Sequence, residues 1–168
     1  MNIKKIHYTN DNVKELSNTI LMQMHRDNWK PDYIVGLTRG GLVPAVYMSH
    51  YLDVPMETLQ VSFRDHNRNE SNCWMSEDAF GYDCGQKNIL IVDDINDTGA
   101  TLDWIINDWQ STCGQASDKW DTVWGNTVRF AVLVDNLSSS FTHKVNYSGT
   151  EINKLDDDVW IVYPWEQQ

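Results

Sequence analysis

Short apolar runs alternate along this chain with stretches in which apolar residues recur every three to four positions, a pattern that predicts strands and helices in turn. Val13, Leu16, Ile20 and Met24 fall on one helical face, with Asn10 and Asp11 placed to cap its start. Pro31 marks the way into a first strand, YIVGL at 33–37, and the helix-like LVPAVYMSHYL follows. Residues 57–63 read as an edge or second strand, ILIV at 89–92 as a fully buried third and 127–134 as a fourth. Leu102, Ile105 and Ile106 begin a helix between the last two. This βαβα order implies an α/β fold, a central parallel sheet flanked by helices on both faces.

Three stretches break the rhythm. Residues 64–87 are polar, contain glycine and show no period; too long for a passive connection, they read as a flexible lid loop. Residues 111–126, rich in Trp, Asp, Ser and Gly, read as an insertion that either extends a subunit contact or is peculiar to this subgroup. The C-terminal segment, about 138–168, is expected to form a small hood with N-terminal residues over a core of about 30–135, all in one domain of 168 residues.

The chemistry concentrates at 89–101, ILIVDDINDTGAT. Asp93 and Asp94 stand at the carboxyl end of a buried strand, where open parallel sheets bind ligands. Asp97, Thr98, Gly99, Ala100 and Thr101 then supply hydroxyls and small residues that let backbone N–H groups approach an anion at a helix N-terminus. An acidic pair suits ribose hydroxyls and an amide cradle suits phosphate, so together they point to a ribose phosphate. No Gly-Lys-Ser/Thr follows, and the three-glycine spacing of a dinucleotide fingerprint is missing. A second strand end carries Thr38, Arg39, Gly40 and Gly41, where a guanidinium and exposed backbone donors suit a doubly charged group such as pyrophosphate.

These motifs resemble the signature of type I phosphoribosyltransferases, in which strand, acidic pair, small-residue loop and helix bind the ribose 5-phosphate of phosphoribosyl pyrophosphate. The tail, WIVYPWE at 160–166, resembles the xanthine-guanine branch of the purine enzymes. The resemblance implies a type I phosphoribosyltransferase-like fold and a purine as acceptor, with Trp160 stacking on the base and Ile161 making backbone contacts to its edge. It implies a pyrophosphate loop at Thr38, Arg39 and Gly40, and Asp97 as general acid/base at the imidazole nitrogen of the purine, where the plainer alternative is a helix cap. Mg²⁺ is implied as cofactor, riding mainly on the pyrophosphate with Asp93 and Asp94 nearby. The lid of such enzymes closes over the site; here Ser62 opens it, with Phe63 where relatives often carry tyrosine, and Arg64 and Arg68 are its available cations.

One departure bears on the base. Relatives that use 6-oxopurines place a lysine after the next strand, where this chain reads LVDNL at 133–137. Asn136 there can donate and accept while ionised Asp135 only accepts, which favours an amino group or a different base altogether.

Composition narrows the remaining options. Thirteen basic against 24 acidic residues give a net charge of −11, which argues against a nucleic-acid or anionic-membrane surface. No apolar run reaches the roughly 20 residues of a membrane span, and the start MNIKKIHYTND is not a secretory signal, so a cytoplasmic protein is expected. Cys73, Cys84 and Cys113 lack a CxxC pair, and the histidines have no i, i+4 partner that would build a metal face. The expectation is a Mg²⁺-dependent purine phosphoribosyltransferase of nucleotide salvage, a homo-oligomer (dimer or tetramer) acting on phosphoribosyl pyrophosphate and a nucleobase. The alternatives are a non-catalytic sensor of phosphoribosyl pyrophosphate or a nucleotide on the same fold, or an enzyme for a pyrimidine or other base.

Overall fold

The computed structural model describes residues 2–61, 63, 69–82, 85–114 and 117–166. In chain order the elements are β1 (Lys4–His7), α1 (Asn10–Arg26), β2 (Tyr33–Thr38), α2 (Leu42–Leu52), β3 (Met56–Gln60), α3 (Cys73–Phe80), β4 (Ile89–Asn96), α4 (Ala100–Thr112), β5 (Val128–Asn136), β6 (Tyr147–Ile152) and β7 (Val159–Val162). Five strands form one parallel sheet in the order β3-β2-β4-β5-β6, and β1 pairs with β7 in a second, two-stranded parallel sheet. From β2 the chain moves outward to β3, then returns to place β4 on the other side of β2. The strand order therefore reverses between β2 and β4, the place where open parallel sheets bind ligands.

Alternating side chains divide the interior into two layers. Tyr33, Val35 and Leu37 of β2 and Ile89 and Ile91 of β4 face Leu102, Ile105, Ile106 and Trp109 of α4. Ile34, Leu90 and Val92 point the other way, toward Val13, Ile20 and Met24 of α1 and Ala45 and Met48 of α2. Each fully buried Ile, Leu or Val stabilises the fold by about 1.5–3 kcal/mol relative to exposure, which is why the central strands must be apolar on both faces.

The predicted helix at the start forms on the expected face, but its cap differs. Thr9 precedes the helix and accepts from the Asn12 amide at 3.1 Å, while the Asn12 side chain accepts from the Thr9 amide at 2.9 Å. Asn10 and Asp11 lie inside the first turn instead.

Three further segments depart from expectation. Within 64–87 the described residues include α3, capped at its start by the Asn72 side chain and ended by Gly81 in the left-handed region at φ 71°. Eight residues are too few for a countable period, yet Met75 and Ala79 are fully buried. Residues 111–126 are no surface appendage. Trp120 is 1% exposed, stacks on Trp124 at 5.5 Å and donates its indole N–H to the Cys113 carbonyl at 2.8 Å, and Trp124 stacks on Phe130 of β5. The segment thus closes the α4 side of the core with aromatic rings.

The third departure divides the expected hood. β6 does not leave the core but joins the main sheet as its edge strand beside β5. Gly149 permits this, since a side chain there would collide with Leu16 of α1 and the Leu133 carbonyl. Gln23 of α1 exchanges hydrogen bonds with the Ser148 backbone, its amide donating at 2.8 Å and its carbonyl accepting at 3.2 Å, and so occupies part of the open edge. Only the chain after Ile152 departs, and it returns as β7 to pair with β1, burying Val159 and Ile161 against the α1–α2 layer.

Candidate active site

Two loops meet at the reversal point. The first leaves β2 at Thr38, passes exposed Arg39 and enters α2 after Gly41, whose amide donates to the Leu37 carbonyl at 2.9 Å. Glycine is required at both following positions. A side chain on Gly40 would run into the Asp94 carboxylate, and one on Gly41 would strike the Val92 and Leu37 carbonyls. The expected pyrophosphate loop is therefore in contact with the expected ribose-binding acid.

The second loop carries the acidic pair, and β4 is longer than the apolar run that announced it. Pairing with β5 continues through Asp93, Ile95 and Asn96, so the acids ride within the strand's final half instead of following it. Asp94 donates its amide to the Asp93 carboxylate at 2.9 Å, and Ile95 donates to that of Asp94 at 2.8 Å. Beyond them the chain turns sharply at Gly99, at φ 91°, where a side chain would collide with the backbone of Phe141. α4 begins at Ala100, whose amide donates to the Thr98 hydroxyl at 3.3 Å. Thr98 and Ala100 are exposed and Thr101 half-buried, so the first turn of α4 offers an anion its dipole and amides at an open surface. Behind the cradle, Ser140 donates to the Thr98 carbonyl at 2.9 Å and Thr142 to Asp103 of α4, which fixes the loop from the far side.

Asp97 is not the helix cap; that place belongs to Gly99. Its carboxylate pairs with the ammonium of Lys154 at 2.9 Å, the two side chains only 20% and 17% exposed. Lys154 sits on the turn between β6 and β7, a position that no motif marked. Its ammonium lies 5.7 Å from the centre of the Trp160 ring, and Trp160 is 40% exposed. Lys154, Trp160, Ile161, Ile95, Tyr163 and Glu166 line a crevice of about 10 Å³, room for one water.

Asn136, expected at the base edge, closes β5. It is 5% exposed, its amide donates to the Asp97 carbonyl at 2.9 Å, and its side-chain oxygen accepts from the Lys154 amide at 3.1 Å and from Ser138. With both ends engaged it ties together the backbones that carry Asp97 and Lys154. Asp135, its neighbour, is held above the usual carboxylate range by burial, partly opposed by the hydrogen bond it accepts from Asn96 at 2.9 Å and reinforced by Glu151.

Tyr163 lies within the WIVYPWE tail, where the motif gave it no role. Fully buried and stacked on Trp165 at 4.8 Å, it donates its hydroxyl to the Asp94 carbonyl at 2.7 Å. Burial, with Asp94 next in weight, raises its hydroxyl well above the usual phenol range, so it remains a donor that ties the hood to the acidic pair. The lid residues Ser62, Arg64 and Arg68 lie outside the described residues. Among the described residues no group of three or more His, Cys, Asp or Glu could hold a metal, and no helix is long and apolar enough to cross a membrane.

The parallel sheet thus brings two loops, the acidic pair and the small-residue start of α4 together at its reversal point. A model of the phosphoribosyl transferase domain matches residues 2–168, and the chain belongs to that family, with the type I fold. Hypoxanthine-guanine phosphoribosyltransferase of Schizosaccharomyces pombe is 25% identical over 84% of this chain and 80% of its own length. Xanthine-guanine phosphoribosyltransferase of Desulfotalea psychrophila is 26% identical over 87% and 83%. The crystal structure of purine phosphoribosyltransferase from Pyrococcus horikoshii superposes with a TM-score of 0.66, covering 98% of this chain and 95% of that one at 26% identity.

Proposed function

We propose that this chain is a purine phosphoribosyltransferase of nucleotide salvage, moving ribose 5-phosphate from phosphoribosyl pyrophosphate to a purine and releasing pyrophosphate. The observation that carries the reading is the meeting of the two expected anion loops at the β2–β4 reversal, with Gly40 against Asp94. The names of the related enzymes support it.

The division of labour follows from charge. The first turn of α4, with Thr98, Gly99, Ala100 and Thr101, binds the 5-phosphate through amides and hydroxyls. Asp93 and Asp94 accept from the ribose hydroxyls and favour the positive charge that grows on the ring as its bond to pyrophosphate breaks. Thr38, Arg39 and Gly40 receive the departing charge. Trp160 stacks on the base and Ile161 offers backbone groups to its edge. As N9 of the purine attacks the anomeric carbon, the pyrophosphate oxygen leaves with the bonding electrons and the N7 proton passes to the Asp97 carboxylate.

Mg²⁺ goes with this reading as an ion held mainly by substrate oxygens, with the oxygen donors Asp93 and Asp94 nearby, and it would neutralise phosphate charge. A cytoplasmic location goes with the reading, in keeping with the free thiols of Cys73 and Cys113.

The test is pyrophosphate release from phosphoribosyl pyrophosphate and Mg²⁺ with each free nucleobase in turn. Release with a purine is expected. Tight binding of phosphoribosyl pyrophosphate with no release for any base would replace the enzyme by a sensor, and release with a pyrimidine alone would change the acceptor class.

A further inference from the structure

We propose that Tyr163 is a positioning residue for the sugar, its hydroxyl holding the backbone of Asp94 so that the carboxylate meets the ribose hydroxyls. It rests on the purine-transfer reading and gives the C-terminal strand a part in binding phosphoribosyl pyrophosphate as well as the base.

The need for such a bond follows from the sheet. β4 pairs with β2 only as far as Val92. Its pairing with β5 runs to Asp93, passes over Asp94 and resumes at Ile95. Asp94 thus lies where one ladder has ended and the other lapses. A bond from outside the sheet reaches it there, since the Tyr163 hydroxyl donates to the Asp94 carbonyl at 2.7 Å. The carboxylate of the same residue lies so close to Gly40 that a methyl group on that glycine would collide with it. Asp94 therefore stands between the two loops of the site, and a small shift of its backbone moves the group that the sugar must meet.

Tyr163 is itself firmly placed. It directly follows β7, the strand that carries Trp160, and is 1% exposed. Its ring stacks on Trp165 with 4° between the planes and meets the Tyr8 ring edge-on at 5.8 Å. Its amide donates to the Glu166 carboxylate at 3.0 Å, and the Glu166 amide returns a bond to its carbonyl at 3.0 Å. A packed ring of this kind carries its polar tip to a fixed point. Burial, then Asp94, keeps the hydroxyl protonated and hence a donor.

The experiment measures the calorimetric affinity for phosphoribosyl pyrophosphate with Mg²⁺, and the Michaelis constant for the best purine. The variants are Tyr163→Phe, Asp94→Asn, the two combined, and Val159→Ala, each compared with the wild type at a temperature where it is fully folded. Tyr163→Phe keeps the ring and removes only the bond. Affinity for phosphoribosyl pyrophosphate should fall by about 2- to 10-fold, the range of one neutral hydrogen bond, while the constant for the base holds. On the Asp94→Asn background the same change should cost little more, because hydroxyl and carboxylate act as one unit. Val159→Ala trims a buried side chain of β7 and should lower stability while leaving both constants unchanged. Unchanged affinity in Tyr163→Phe, an equal fall in Val159→Ala, or a full further loss on the Asp94→Asn background makes the hydroxyl a tie of the fold alone and overturns the inference while purine transfer stands. A rise in the base constant as large as the loss of phosphoribosyl pyrophosphate affinity does the same, because it marks a loosened β7. No binding of phosphoribosyl pyrophosphate by the wild type overturns the reading beneath it.

Discussion

The phosphate end and the base end of this site are built by different means. At the proposed phosphate end, two loops leave neighbouring strands of the central sheet, and Gly40, Gly41 and Gly99 let their backbones pack closely against the Asp94 carboxylate, the Val92 and Leu37 carbonyls and the Phe141 backbone. At the base end, Asp97 follows β4, Asn136 closes β5, Lys154 lies on the turn after β6 and Trp160 lies in β7, joined by side-chain contacts. Backbone cradles tolerate little change because a single Cβ would fill them. Side-chain assemblies can be rebuilt from other positions. A common sugar-phosphate chemistry can therefore persist while base recognition is rearranged.

The largest effect is expected where the two ends join. Asp97→Asn keeps the size and much of the hydrogen bonding but cannot take the N7 proton, so turnover with the best purine should fall by about 10²–10⁴. The affinity for phosphoribosyl pyrophosphate, measured calorimetrically, should hold. Wild-type turnover would remove Asp97 from the mechanism.

Next, replacing Asp93 and Asp94 together by Asn should weaken phosphoribosyl pyrophosphate binding by about 10- to 100-fold, the range of charged hydrogen bonds. The stability of the fold should stay near wild type, since both side chains are only half-buried. If the two ends are as separate as their construction suggests, the Michaelis constant for the base barely moves.

Trp160→Ala should do the reverse, raising that constant by roughly 5- to 150-fold, as expected for about 1–3 kcal/mol of stacking. An equal loss of phosphoribosyl pyrophosphate affinity would break the comparison.

The smallest effect concerns the tie between the ends. Tyr163→Phe leaves the Asp94 carbonyl without its hydroxyl donor and should cost about 1–3 kcal/mol in denaturant unfolding. Burial raises Tyr163 and Tyr33 above the ordinary phenol value of 10.0. Their neutral forms therefore favour the folded state: that stability is fully present below pH 10 and is lost as pH rises beyond it. Tyr163→Phe should make the alkaline decline shallower, and an unchanged slope would show that its hydroxyl does not titrate on unfolding.

What the chain announced on its own is what lies contiguous in it. ILIV at 89–92, the acids, Thr98 and Gly99 occupy one short run, so residue types and spacing sufficed to foresee strand, turn and helix. The α/β order was equally legible, because apolar residues must alternate with the period of whichever element buries them. α3 escaped because eight residues hold too few turns to show a period. β6 escaped because an edge strand shielded by Gln23 needs no apolar run.

The contacts that join the base end were decided by tertiary structure. Tyr163 meets Asp94 across a sequence separation of 69, and Asn136 reaches Asp97 across 39 and Lys154 across 18. Such separations carry no periodic or spacing signal, since the loops between them can take any length without changing the contact. A lysine in an acidic run reads as a solvated charge until the sheet order sets its turn beside the end of β4. The sequence specifies that order only through the whole core, because no local segment can bury both faces of a parallel strand by itself.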